Sequence, residues 1–112
     1  MKKLLGNRKF QLWEYSVSHG KLLIRSPKNE QEIKNIDIKF IGVDYISLPR
    51  HLREICLVEP TDDEVLRFEN ILNKPLLKRN IHIIESADTR HVVIAAGMKI
   101  EENLLDIFES PL

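Results

Sequence analysis

With 112 residues, 43% of them apolar and 30% charged, the chain has the length and composition of a single domain, residues 1–112, able to bury a core without disulfides or a structural metal. Lys+Arg and Asp+Glu balance at 17 each, which excludes the strongly basic make-up of a protein that binds nucleic acid through its charge alone. The signs nevertheless separate along the chain: residues 1–53 hold 11 Lys+Arg against 5 Asp+Glu, and residues 54–112 hold 6 against 12. An antiparallel sheet would interleave the two halves and cancel most of that separation.

The opening Met1-Lys2-Lys3-Leu4-Leu5-Gly6 begins like a signal peptide, but Asn7, Arg8 and Lys9 interrupt it before an apolar core of the usual length can form. No apolar run approaches the roughly 18 residues a membrane-spanning helix needs. The lone cysteine, Cys56, has no internal disulfide partner and lies between Ile55 and Leu57, where a small buried hydrophobe fits. A cytoplasmic location, no membrane partner and a small, complete bacterial reading frame are the expectations.

From Phe10 to Pro27 the chain reads as a β-hairpin. A two-residue turn at His19-Gly20 would set Val17 against Leu22, Tyr15 against Ile24, Trp13 against Ser26 and Glu14 against Arg25. Trp13 and Tyr15 would then lie on the core face beside Leu22 and Ile24. Pro27 ends the second strand, and Ser26 to Glu32 is the polar connection most suited to mobility.

Alternation of Ile36, Ile38 and Phe40 with charged neighbours predicts a half-buried strand. Gly42 breaks its phase, marking either a bulge in one long strand or a tight turn between two short ones. Glu54 to Glu59 reads as a short strand covered on both faces. Next, Thr61 and Glu64 stand at capping-box spacing, with Asp62 and Asp63 where the helix dipole favours negative charge. Val65, Phe68, Ile71 and Leu72 repeat at helical spacing, and Asn73-Lys74-Pro75 stops the helix. Ile81 to Glu85 and His91 to Met98 form a second hairpin around Ala87-Asp88-Thr89. Ile100, Leu104, Ile107 and Phe108 suggest a short C-terminal amphipathic helix. The predicted fold is therefore α+β: about seven mostly antiparallel, strongly twisted strands, one main helix and a short C-terminal helix.

Little in this pattern carries chemistry. No Gly-x-Ser-x-Gly elbow or phosphate-cradling glycine loop is present, and no tight His/Cys spacing advertises a metal, so no metal and no cofactor are expected. His82 and His91 fall on neighbouring runs with Glu85 close by, and a pair of imidazoles with a carboxylate could border a cleft as acid and base. Arg50 and His51 offer a second place where an anion could bind. An exposed aromatic sheet with a basic rim could stack single-stranded bases, but the core-face placement of Trp13 and Tyr15 argues against a nucleic-acid partner.

The runs Phe10 to Pro27 and Ile38 to Pro49 together resemble small stand-alone bacterial proteins of uncharacterised function. Some small, sheet-rich bacterial proteins of this general kind act as immunity proteins, an analogy of fold class and size. The leading expectation is a non-enzymatic module that binds a protein partner through one sheet face or through the acidic group Glu59, Asp62, Asp63, Glu64 and Glu69. Its alternative is a small enzyme or small-ligand binder with a cleft bordered by His82, Glu85 and His91, or by Arg50 and His51. Exposed strand edges add the expectation of a homodimer.

Overall fold

A computed structural model describes residues 3–112. Among these residues eight strands form one antiparallel sheet: β1 (Lys3–Leu4), β2 (Lys9–Ser16), β3 (Lys21–Ser26), β4 (Asn35–Ser47), β5 (His51–Arg53), β6 (Cys56–Val58), β7 (Ile81–Ser86) and β8 (Thr89–Asn103). Their spatial order is β1-β6-β7-β8-β4-β3-β2-β5, and one helix, α1 (Asp62–Leu72), lies outside the sheet.

The sheet is curled into a half-barrel more than it is twisted, because the chain ties its two margins together. β5 forms one margin and β6 lies second from the other, yet only Glu54 and Ile55 separate them, with Glu54 at a positive φ of 48°. Ser86 on β7 reaches across the gap: its hydroxyl donates to the Arg53 carbonyl at 2.7 Å and accepts from the Arg53 amide at 3.2 Å. Backbone bonds from Leu5 to Ile55 and from Glu54 to Arg8 add to the closure. Inside lie Phe10, Leu22, Ile24, Ile38, Phe40, Leu52, Ile55, Ile84 and Val93, all buried.

α1 covers part of the outer face. Phe68 is buried against Ile81, Ile83, Val92 and Ile94, with Val65 and Leu72 partly buried beside it. Burial of a phenylalanine side chain stabilises by roughly 1.5–3 kcal/mol, so Phe68 anchors the helix. The predicted apolar stripe is narrower than expected, since Ile71 stays 49% exposed. Both capping-box bonds form, from the Glu64 amide to Thr61 Oγ1 at 3.1 Å and from the Thr61 amide to Glu64 Oε1 at 2.9 Å. Asn73 closes the helix in the left-handed conformation.

The first hairpin forms in a different register from the predicted one. Val17 to Gly20 make the loop, Ser16 pairs with Lys21 and Tyr15 with Leu22, and within the loop Gly20 takes a positive φ. A bulge at Trp13 then shifts the pairing by one more residue, so Leu12 meets Ile24. An odd shift reverses which side chains point inward. Leu12 and Phe10 therefore pack on the interior, while Trp13 stacks over the Arg25 guanidinium at 5.3 Å. Val17 is exposed in the loop and Tyr15 is 41% exposed, which corrects the expectation that these residues fill the core. Glu14 lies opposite Leu23, and the expected Glu14–Arg25 pair gives way to Arg25–Asp37.

Gly42 sits within one long strand, not in a turn. The irregularity in β4 leaves Asp44 out of the ladder between Val43 and Tyr45, and its carboxylate holds Lys74 at 2.7 Å. The second hairpin turns on Ala87 and Asp88, both at positive φ, with Ser86 paired to Thr89. In β6 only Leu57 is buried, and Cys56 is half-buried. The C-terminal helix does not form: β8 continues through Ile100 to Asn103, and residues 104–112 run on as an irregular segment.

Candidate binding surfaces

The acidic residues around the start of α1 are largely used within the molecule. Asp62 binds Lys78 at 2.8 Å, and that hydrogen bond holds its carboxyl below the usual range. Glu64 meets Arg90 at 2.7 Å while completing the capping box, and the Arg90 hydrogen bond lowers its pKa. Glu69 accepts the Leu76 amide at 2.8 Å, stitching the segment after the helix to its side. Arg90 also bonds Glu85 at 2.9 Å and the Glu59 carbonyl at 3.3 Å. Asp63 is the member of the group that faces solvent with no ion pair among the described residues.

Strand register decides the fate of His82, Glu85 and His91. His82 lies opposite Val93 and His91 opposite Ile84, on the side of β7 and β8 that faces the barrel interior. Glu85, one residue from Ile84, points to the other face, where Arg90 holds it. The carboxylate and the imidazoles are thus on opposite sides of the sheet. His82 Nε2 lies 3.3 Å from the Ala95 carbonyl, and its ring meets Phe40 edge-on at 5.4 Å. Burial lowers its pKa, with the Ala95 bond acting in the opposite direction. Among the described residues no group of three or more His, Cys, Asp or Glu side chains is arranged to hold a metal. Arg50 and His51 are exposed at the β5 margin, and the Arg50 carbonyl accepts the Leu12 amide.

The irregular C-terminal segment forms a surface that the sequence reading did not identify. On the outer face, Arg25 Nε and Nη2 bond Asp37 at 2.6 and 2.9 Å, with both side chains at or below 1% exposure. Asn103 donates to Asp37 at 2.7 Å, and Asn35 donates to Asn103 Oδ1 and to the Leu105 carbonyl, each at 2.8 Å. The remaining Arg25 nitrogen, Nη1, donates to the Glu109 carbonyl at 3.0 Å. A buried, fully hydrogen-bonded ion pair therefore fastens the segment across the sheet.

Between these attachments the chain makes a tight turn. The Glu109 amide donates to the Asp106 carbonyl at 2.9 Å, and the Asp106 amide donates to the Glu109 carboxylate at the same distance. Ile107 and Phe108 occupy the tip, and Phe108 is 95% exposed. Leu104 on this segment and Ile33 on the adjoining 27–34 loop are exposed as well. That loop is braced by Arg8, which bonds Ser26 and the Lys34 carbonyl, and by Lys28 Nζ on the Leu104 carbonyl.

Among the described residues the terminal strands are short, two residues in β1 and three in β5, and β5 pairs only with Lys9 to Gln11 of β2. No helix among the described residues is long and apolar enough to cross a membrane. Compared with protein-family models, curated proteins and solved structures, the chain matches none.

Proposed function

We propose that the chain is a non-enzymatic protein-binding module whose contact surface is the turn Asp106 to Glu109, with Phe108 as its anchor. One observation carries this reading: an almost fully exposed phenylalanine sits at the tip of a turn fastened to a buried ion pair. Exposure of an aromatic ring to water is unfavourable by itself, and binding a partner would reverse that cost. Aromatic anchors carry much of the energy at protein interfaces, and a turn already held in shape loses little entropy on docking. The Asp62, Asp63, Glu64 and Glu69 group fits the role less well, because three of its four carboxylates are engaged within the molecule.

The test is co-purification of the tagged chain from its native cells, with unaltered protein compared against Phe108→Ser at equal expression. The reading expects a stoichiometric protein partner whose recovery falls at least tenfold in the variant. Equal recovery of every associated protein from both would refute it.

A further inference from the structure

β6 ends at Val58, opposite Ile83, because Pro60 has no amide hydrogen with which to continue the ladder and the chain turns away into α1. A cleft of about 250 Å³ opens where the strand leaves, against the first residues of β7. Its walls are Leu57, Val58, Pro60, Ile81, Ile83 and Met98. His82, Glu59, Lys78 and Arg79 are its polar neighbours.

Those polar groups differ in what they have left to offer. Lys78 is bound to Asp62 at 2.8 Å and is also drawn by Glu59. His82 is bonded to the Ala95 carbonyl, and burial favours its uncharged form. Arg79, in the short 3-10 turn Lys78–Asn80, makes no hydrogen bond or ion pair among the described residues. An apolar slot with one uncommitted guanidinium at its rim has the features of a site for an amphipathic anion.

We infer that this cleft binds a small monocarboxylate with an apolar body, the hydrocarbon lying on Val58 and Met98 and the carboxylate meeting Arg79. The space exceeds the ~150 Å³ that admits a benzene ring, so one ring or a short aliphatic chain fits and a long lipid does not. The site shares no lining residue with the Phe108 turn.

The test uses the full chain, titrated with sodium octanoate and, separately, with 1-octanol, and followed by amide chemical shifts in solution. Expected are saturable shifts centred on residues 57–59, 78–83 and 98, and octanoate binding at least fivefold tighter than octanol. Arg79→Gln, at an exposed position, should bring octanoate down to the level of octanol while the remaining spectrum stays unchanged. Met98→Trp should occupy the slot and weaken both ligands. Equal affinity for the two probes, an unchanged octanoate affinity in Arg79→Gln, or shifts centred elsewhere would overturn the assignment.

Discussion

Arg25 and Asp37 face each other across β3 and β4, joined by two hydrogen bonds of 2.6 and 2.9 Å and shut away from water. Removal of one member leaves the other buried without its counter-charge, which typically costs about 3–5 kcal/mol. Asp37→Leu should therefore destabilise the protein by that amount in urea unfolding. The double variant Arg25→Met with Asp37→Leu should recover about 2 kcal/mol of the loss, since no lone charge then remains. Additive losses would show that the two side chains do not act as a pair.

The same pair holds the C-terminal segment beside the single tryptophan, Trp13, which makes the segment observable. A chain ended after Leu105 loses the Arg25 bond to Glu109 and the cover that Asp106 and Ile107 give around Trp13 and Arg25. Trp13 emission should shift to the red, and stability should fall by about 1.5–3 kcal/mol, the range for a hydrogen bond to a charged group. Far-UV helical signal should stay constant, because residues 104–112 contain no helix to lose.

His82 gives the fold a pH dependence of definite sign. Burial lowers its pKa in the folded state, so the unfolded chain takes up a proton at a higher pH than the folded chain. Stability from this residue is complete above the unfolded value of about 6.5 and declines as pH falls from there through the folded value. His82→Phe, which keeps a ring beside Phe40, should flatten unfolding free energy between about pH 7 and pH 5. A slope unchanged by that substitution would assign the dependence to other groups.

Two glycines with similar backbone angles should respond differently to alanine. Gly6, at φ 73°, has open space where a Cβ would stand, so Gly6→Ala carries only the left-handed backbone penalty of roughly 1–2 kcal/mol. Gly42, at φ 65°, would in addition bring a new Cβ to 3.0 Å from Ala96 Cβ, across the strand pair that joins β4 to β8. Gly42→Ala should be the more destabilising of the two by thermal unfolding.

Features set by neighbours in sequence were legible before the structure. The Thr61 and Glu64 cap, the stop at Asn73-Lys74-Pro75 and the second hairpin follow from local rules that tertiary contacts do not override. The first hairpin was legible in kind but not in register, because neither the bulge at Trp13 nor the pairing of Arg25 with Asp37 on β4 has a signal within the hairpin itself. A charge match inside the hairpin, Glu14 with Arg25, lost to a closer one across the sheet.

In the C-terminal segment Ile100, Leu104, Ile107 and Phe108 satisfy a helical spacing by coincidence, since Ile100 belongs to β8. Two signals pointed the other way: Ile100 continues the alternation of Met98, and no Ser, Thr, Asp or Asn stands just before Ile100 to cap a helix. The fastening by Asn35 and Asn103 had no local signature at all, since the two side chains meet only once β4 and β8 are paired.

The most direct measurement is site-specific photo-crosslinking in native cells, with a benzophenone amino acid placed at Phe108 in one strain and at Val17 in another. Val17 is 79% exposed on the first hairpin loop, outside the Asp106 to Glu109 turn, and reports background contact. The account predicts a discrete crosslink to a different protein from position 108 that is absent from position 17. Indistinguishable adducts from the two positions, or none from either, would contradict it.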